Sequence, residues 1–512
     1  MLTALILVPV VAAVIVMLLP SNRKELALPV GFGLSFIPLA IAGYLFFHFE
    51  TGVAGYQFAQ KAMWYEAWGI SWNLGVDGIS LGLVALTTIL IPIALAASTT
   101  ITDRTKEFVV FTLLLEAGLI GSFLAVDLFL FFVFFEAVLV PMYFIIGIWG
   151  SERRIYAALK FFVFTAFGSA FLLASIVALS VFHNRQFGAP SFDLVDLMNL
   201  DLTVNQSRWL FAGFGIAFAI KVPVFPLHTW LPDAHVQAPT AGSVLLAGVM
   251  LKLGTYGLLR FNLNLFPQAA VDAVPIIATL AVIGIIYGAV VAIVQPDLKK
   301  LVAYSSVSHL GFIVLGTAAL TSAGFQGAVI QNVNHGLTTG ALFLLVGMIY
   351  ERRHTKKIAD FGGLAKVMPI FAGLFLFTTF ASIGLPGLNG FVGEFLVLIG
   401  SFPSIPGFAA VAAFGVILAA IYLLWAYERV FTGVPDKPEN QKLTDLTPRE
   451  IGIMAPLVIL IVVLGLYPKI LLDRTAASTE ALLDRIEQTT DYQVPEPGRL
   501  ADVFAGTTEG DE

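Results

Sequence analysis

Four ionisable side chains interrupt otherwise apolar stretches of this 512-residue sequence: Glu136 in FLFFVFFEAVLVPMYF, Lys221 in FAIKVPVFPLH, Lys252 in LLAGVMLKLGTYG and Glu394 in GLPGLNGFVGEF. Such a group at the centre of a bilayer costs roughly 3 kcal/mol or more, so keeping four of them points to use in moving ions or protons. Hydrocarbon disfavours the charged form of either type, and a nearby partner of opposite sign restores it. If Glu136 and Lys221 approach each other, each stabilises the other's charge, and a small separation would release the lysine's proton. Lys252 could pass that proton to His309, in SSVSHLGF, and His335, in QNVNHGLTTG, because imidazole exchanges protons near neutral pH. Glu394 would be the last carrier, and His228, seven residues after Lys221, is read as a gate.

Each residue has a plainer reading. Glu136 and Lys221 could form a static ion pair that fixes helix packing, and Lys252 could extend its amine to an interface. The two histidines could hydrogen-bond across helices beside Ser308 and Asn334, or ligate a haem, although the neighbouring Lys and Glu set favours proton traffic. His235, like His228, flanks the LPDA string and reads as a cap or gate. Asp77 and Asp127 read as helix N-caps, and Glu116 is open between packing and function.

Positioning these groups requires a membrane scaffold. Hydrophobic residues make up 58%, charged residues 12%, and the mean hydropathy is +0.89, far beyond what a soluble core needs. The fold class expected is an all-α polytopic membrane protein. A net charge of -6 without a basic domain argues against nucleic acid as a partner, leaving the lipid bilayer. No cysteine is present, which removes disulfides, thiolate zinc sites and Cys-ligated iron–sulfur clusters from this chain. Residues 1–19 lack a basic n-region and read as a first membrane helix rather than a signal peptide.

Apolar segments near 2–19, 27–48, 78–98, 107–125, 128–149, 155–182, 209–226, 241–262, 273–294, 300–320, 326–350, 367–400, 407–431 and 450–468 give about 14 transmembrane helices. Pro and Gly interrupt the segments around 209–235 and 367–400. With the N-terminus outside, inner loops collect eighteen Lys and Arg, including Arg23, Lys106, Lys160, Lys299 and the ERRHTKK run at 351–357. Outer loops then hold four: Lys61, Arg185, Arg208 and Arg260. Beyond residue 470 an acidic tail reads as a short surface helix followed by a flexible end.

A repeat is also visible. Glu136 precedes Lys221 by 85 residues, His309 precedes Glu394 by the same 85, and each later member lies beside a Pro-interrupted segment. Paired broken helices in corresponding halves are the usual pointer to an ion site. The division expected is 1–106 for N-terminal helices 1–3, 107–265 for a first repeat, 266–435 for a second, and 436–512 for a last helix and tail.

The stretch IKVPVFPLHTWLPDAHVQAPTAGSVLLAGVMLKLGTYGLLRF at 220–261 closely resembles the core of the antiporter-like subunits of respiratory complex I. Further matches are DLFLFFVFFEAVLVPMYFIIGIWG at 127–150, LVAYSSVSHLGFIVLG at 301–316 and LPGLNGFVGEFLVLIGSF at 385–402. The resemblance implies two inverted five-helix repeats with discontinuous helices 7 and 12. It assigns Glu136 to helix 5, Lys221 to broken helix 7, Lys252 to helix 8 and Glu394 to broken helix 12. Glutamate at that last position selects the M, or chain 4, branch over the L-like and N-like chains and the Mrp-type subunits, which carry lysine there. The resemblance further implies a proton-pumping subunit of an NADH:quinone oxidoreductase with no cofactor in this chain. Flavin, iron–sulfur clusters and quinone would belong to partner subunits, and the chain L-like and chain N-like subunits would be its membrane neighbours. The location implied is the plasma membrane of a prokaryote. An Mrp-type cation/proton antiporter, a ferredoxin- or hydrogenase-linked complex and an inert structural scaffold are the alternatives.

Overall fold

A computed structural model describes residues 1–496, and within them the chain is a helical bundle. Eleven helices among the described residues are long and apolar enough to cross a membrane, joined by shorter apolar helices at Leu2–Leu18, Pro369–Ser382 and Asn389–Ser401. Proline at the first turn, where no intrahelical donor is needed, starts the helices at Pro267, Pro369, Pro406 and Pro448. Reciprocal capping boxes fix two more starts, Asp77 with Ser80 and Thr203 with Gln206, and a third, Thr447 with Glu450, reinforces the start at Pro448. Asp127 caps its helix through the Leu130 amide.

The helices sort by polarity. Leu298–Ala318, Ser322–Arg353 and the continuous run Thr240–Leu265 are buried almost throughout, although they carry Lys252, Ser308, His309, Gln331, Asn332, Asn334 and His335. Arg154–Phe187, Pro267–Ile293 and Pro406–Phe431 are more apolar and turn one face outward, with Phe167, Ile276 and Phe414 exposed. Polar groups inside and apolar groups outward is the arrangement that hydrocarbon solvent demands.

Both Pro/Gly-interrupted segments are broken helices. Val204–Lys221 stops at Lys221 and helix resumes at Trp230–Gln237. Pro369–Ser382 stops before the GLPGL turn and resumes at Asn389–Ser401. The segment expected over 209–226 therefore ends five residues earlier, because Pro223 and Pro226 lack amide donors to continue the ladder. Lys221 is consequently a half-helix terminus rather than a mid-helix residue.

Three features differ from expectation. Strands Gln57–Tyr65 and Ile70–Val76 form an antiparallel hairpin, with Lys61 opposite Asn73. Its alternating pattern is too short to register against membrane-length apolar runs. Arg260, expected in an outer loop, is buried within the Thr240–Leu265 run and ion-paired with the N-cap Asp77. Lys299, expected in an inner loop, is buried and donates to the Ala238 carbonyl at 2.6 Å. The tail begins as expected with a helix, Lys469–Thr489, whose Ser478 hydroxyl accepts from the Gly78 amide at 3.0 Å. The flexible end expected after it falls largely outside the described residues.

Candidate functional site

The backbone around Lys252 is irregular. Two π-helical turns, Leu246–Met250 and Leu258–Asn262, bracket the α-helical Lys252–Gly257, a departure that recurs at functional positions. The Lys252 amine donates to the Ala247 carbonyl inside the first π turn and lies 2.7 Å from His335 Nδ1. Both side chains are buried, at 0% and 2% exposure. One turn beyond Lys252 the Thr255 hydroxyl donates to Asn332 Oδ1 at 2.6 Å, extending the polar seam between the two helices.

Close approach of helices is secured by glycine at two places. A Cβ on Gly254 would come 2.7 Å from the Phe218 carbonyl and 2.8 Å from the Val222 amide, so glycine here lets the Lys252 helix lie against the end of the Lys221 half-helix. A Cβ on Gly393 would come 2.2 Å from Gln331 Oε1, so glycine there seats the Glu394 half-helix against Ser322–Arg353.

Glu394 is held from two sides. His309 Nδ1 lies 2.6 Å from its Oε1, and Gln331 Nε2 donates to the same oxygen at 3.1 Å. The other nitrogen of His309, Nε2, faces the Tyr422 hydroxyl at 3.2 Å and the Ser382 hydroxyl at 3.4 Å. The His309 and His335 rings are tilted neighbours with centroids 5.9 Å apart. The structure therefore brings Lys252, His335, His309 and Glu394 into one buried series.

Glu136 and Lys221 are neighbours without contact. The Lys221 amine lies over the Phe135 ring, 4.6 Å from its centroid, and has no hydrogen-bond partner among the described residues. One carboxylate oxygen of Glu136, Oε1, is likewise buried and unpartnered, while Ser169 stands beside the carboxyl group. A static contact ion pair is thus not what holds these two. The cation–π contact is worth about 2 kcal/mol when desolvated, well short of what a full carboxylate partner supplies to a buried ammonium.

His228 stands apart from this series. It packs among Phe225 and Tyr287, with ring centroids 5.7 and 5.1 Å away, in the break that follows Lys221. His235 stacks on Phe343 at 4.6 Å, and neither of its nitrogens has a partner among the described residues. Glu116 is fully buried with both oxygens unpartnered.

Sequence reasoning missed Gln331, Tyr422, Ser382 and Phe135. Gln331 was accessible, since it stands one turn before His335 on the same face. Tyr422 gave no signal, because one tyrosine in an apolar helix is ordinarily packing.

Residues 125–421 match the family described as NADH:quinone oxidoreductase/Mrp antiporter, transmembrane. The NADH-quinone oxidoreductase subunit M of Rhodobacter capsulatus is 46% identical over 448 residues, covering 85% of this chain and 86% of its own. A chain of respiratory complex I from Thermus thermophilus superposes with a TM-score of 0.85 at 33% identity, covering 94% of this chain and 100% of that one. A chain of the Mrp complex from Dietzia sp. DQ12-45-1b shares the fold, with a TM-score of 0.82 at 22% identity, over 94% of this chain and 98% of that one.

Proposed function

This chain belongs to the NADH:quinone oxidoreductase/Mrp antiporter membrane-subunit family, and on that premise we propose that it is the M-type proton-pumping subunit in the membrane arm of an NADH:quinone oxidoreductase. The observation that carries this reading is the buried series Lys252, His335, His309 and Glu394, built from groups that both bind and release protons. Lys221 and Glu136 are the switch at one end. With its amine against a ring rather than a carboxylate, Lys221 can gain or lose a proton as Glu136 moves. Redox chemistry in partner subunits drives that movement. This chain contributes proton transfer to the enzyme complex, and flavin, iron–sulfur clusters and quinone belong to its partners. His228 gates the break beside Lys221.

The partners proposed are the L-like and N-like membrane subunits, in the plasma membrane of a prokaryote with the N-terminus outside. The repeats proposed span 107–265 and 266–435, preceded by helices 1–3 in 1–106 and followed by 436–512. The Mrp reading retains the same fold, but the 46% identity to a subunit M against 22% to the Mrp chain favours the oxidoreductase.

Affinity purification of the tagged chain from detergent-solubilised membranes tests the assignment. Copurification of an NADH-oxidising, quinone-reducing assembly that acidifies vesicles without requiring sodium is expected. Recovery of an assembly that exchanges sodium for protons and does not oxidise NADH would overturn it.

A further inference from the structure

His309 lies between His335 and Glu394 in the buried series, and both of its nitrogens are already engaged. Nδ1 is 2.6 Å from Glu394, while Nε2 faces Tyr422 at 3.2 Å and Ser382 at 3.4 Å. His335, the next group toward Lys252, meets His309 as a tilted ring with centroids 5.9 Å apart, and its own Nε2 is buried without a partner among the described residues. With Nδ1–H donating to the Glu394 carboxylate, Nε2 presents a lone pair, and the Tyr422 hydroxyl is the donor that satisfies it. Tyr422 is fully buried, so this bond is not in competition with bulk water.

Resting on the proton-pumping reading above, we propose that Tyr422 is a positioning residue that holds His309 in the Glu394 arm and out of proton exchange with His335. While the hydroxyl occupies Nε2, His309 shares a proton only with Glu394. For a proton to pass between the histidines, the O–H···Nε2 bond must break and the imidazole must turn toward the free nitrogen of His335. The two arms of the series are then joined at one step and separated at the next, which a pump requires and an open wire does not provide. Pro406–Phe431, the helix carrying Tyr422, is thereby tied to proton transfer although it contributes no charged group to the series. Ser382, at the end of the half-helix preceding the break, is the weaker second occupant of the same nitrogen.

The groups facing His309 are Glu394, His335, Tyr422 and Ser382. Tyr422→Phe keeps the ring and removes only the hydroxyl. In membranes with the complex assembled, as judged on native gels, this variant is expected to lower the protons pumped per NADH oxidised about tenfold, the scale of losing the one buried hydrogen bond that keeps the two arms apart. Its pH optimum is expected to be displaced from that of the wild type, which a packing defect would not do. Ser382→Ala is expected to displace the optimum in the same direction with about a twofold loss, and the double variant to lose more than the product of the two. An unchanged pH profile in both single variants, with His309→Gln inactive, would overturn the role of Tyr422 while leaving the series intact. Full activity of His309→Gln would instead remove the series on which the proposal rests.

Discussion

The two residue pairs separated by 85 positions have adopted opposite states. In the second half of the chain, His309 and Glu394 are in contact at 2.6 Å, Gln331 donates to the same Glu394 oxygen, and Tyr422 and Ser382 face the other His309 nitrogen, while Glu394 Oε2 is buried without a partner among the described residues. In the first half, Glu136 and Lys221 are adjacent but apart, and the lysine amine leans on Phe135. A buried pair in contact resists change, because breaking it strands a charge. An unsatisfied one is poised to change, because little is lost when it moves. The first half therefore reads as the element that responds and the second as the element that holds.

Substitutions can break this contrast in order of expected effect. Lys221→Ala removes the responding group and should abolish coupled turnover, leaving less than about one hundredth of wild-type activity, with assembly intact. Glu394→Gln exchanges the charged acceptor of the His309 Nδ1–H for a neutral one and should cost the assembled complex about 1.5–3 kcal/mol of stability as well as activity. A thermal melt of the complex would separate the two variants, since Lys221 has no hydrogen-bond partner among the described residues to strand, and Lys221→Ala should leave the melting temperature near that of the wild type. An equal drop in both would erase the contrast. Glu136→Gln should give an intermediate loss of turnover, about tenfold, because Lys221 keeps its ring contact. Smallest of all, Lys61→Met on the Gln57–Val76 hairpin should change stability by less than about 1 kcal/mol and leave turnover unaltered. Its 2.6 Å bond to Asp193 holds the lysine above its ordinary range, yet half of the side chain is exposed to solvent.

The membrane helices were legible because hydrocarbon solvent imposes a length and polarity rule that leaves its mark on every segment, from Leu2–Leu18 to Pro448–Leu466. Both helix breaks were legible from proline and glycine, although the stop at Lys221 was placed too late. The residues in the buried series were legible for the same reason the helices were: each is an expensive exception to its surroundings. What could not be read was pairing. Nothing in the sequence distinguishes an 85-residue separation that ends in contact, His309 with Glu394, from one that does not. Tyr422 and Ser382 were invisible because hydroxyls are tolerated anywhere along a buried helix. Arg260 was misplaced because its partner Asp77 lies 183 residues away, and only tertiary structure shows that this arginine is internal.

Proton pumping measured against NADH:quinone turnover in membranes carrying Lys221→Ala tests the central claim most directly, with assembly confirmed on a native gel. Turnover and pumping are expected to fall together in a fully assembled complex. An assembled complex that turns over and pumps normally would show that the partnerless lysine is a packing residue and that the first half of the molecule is not the switch.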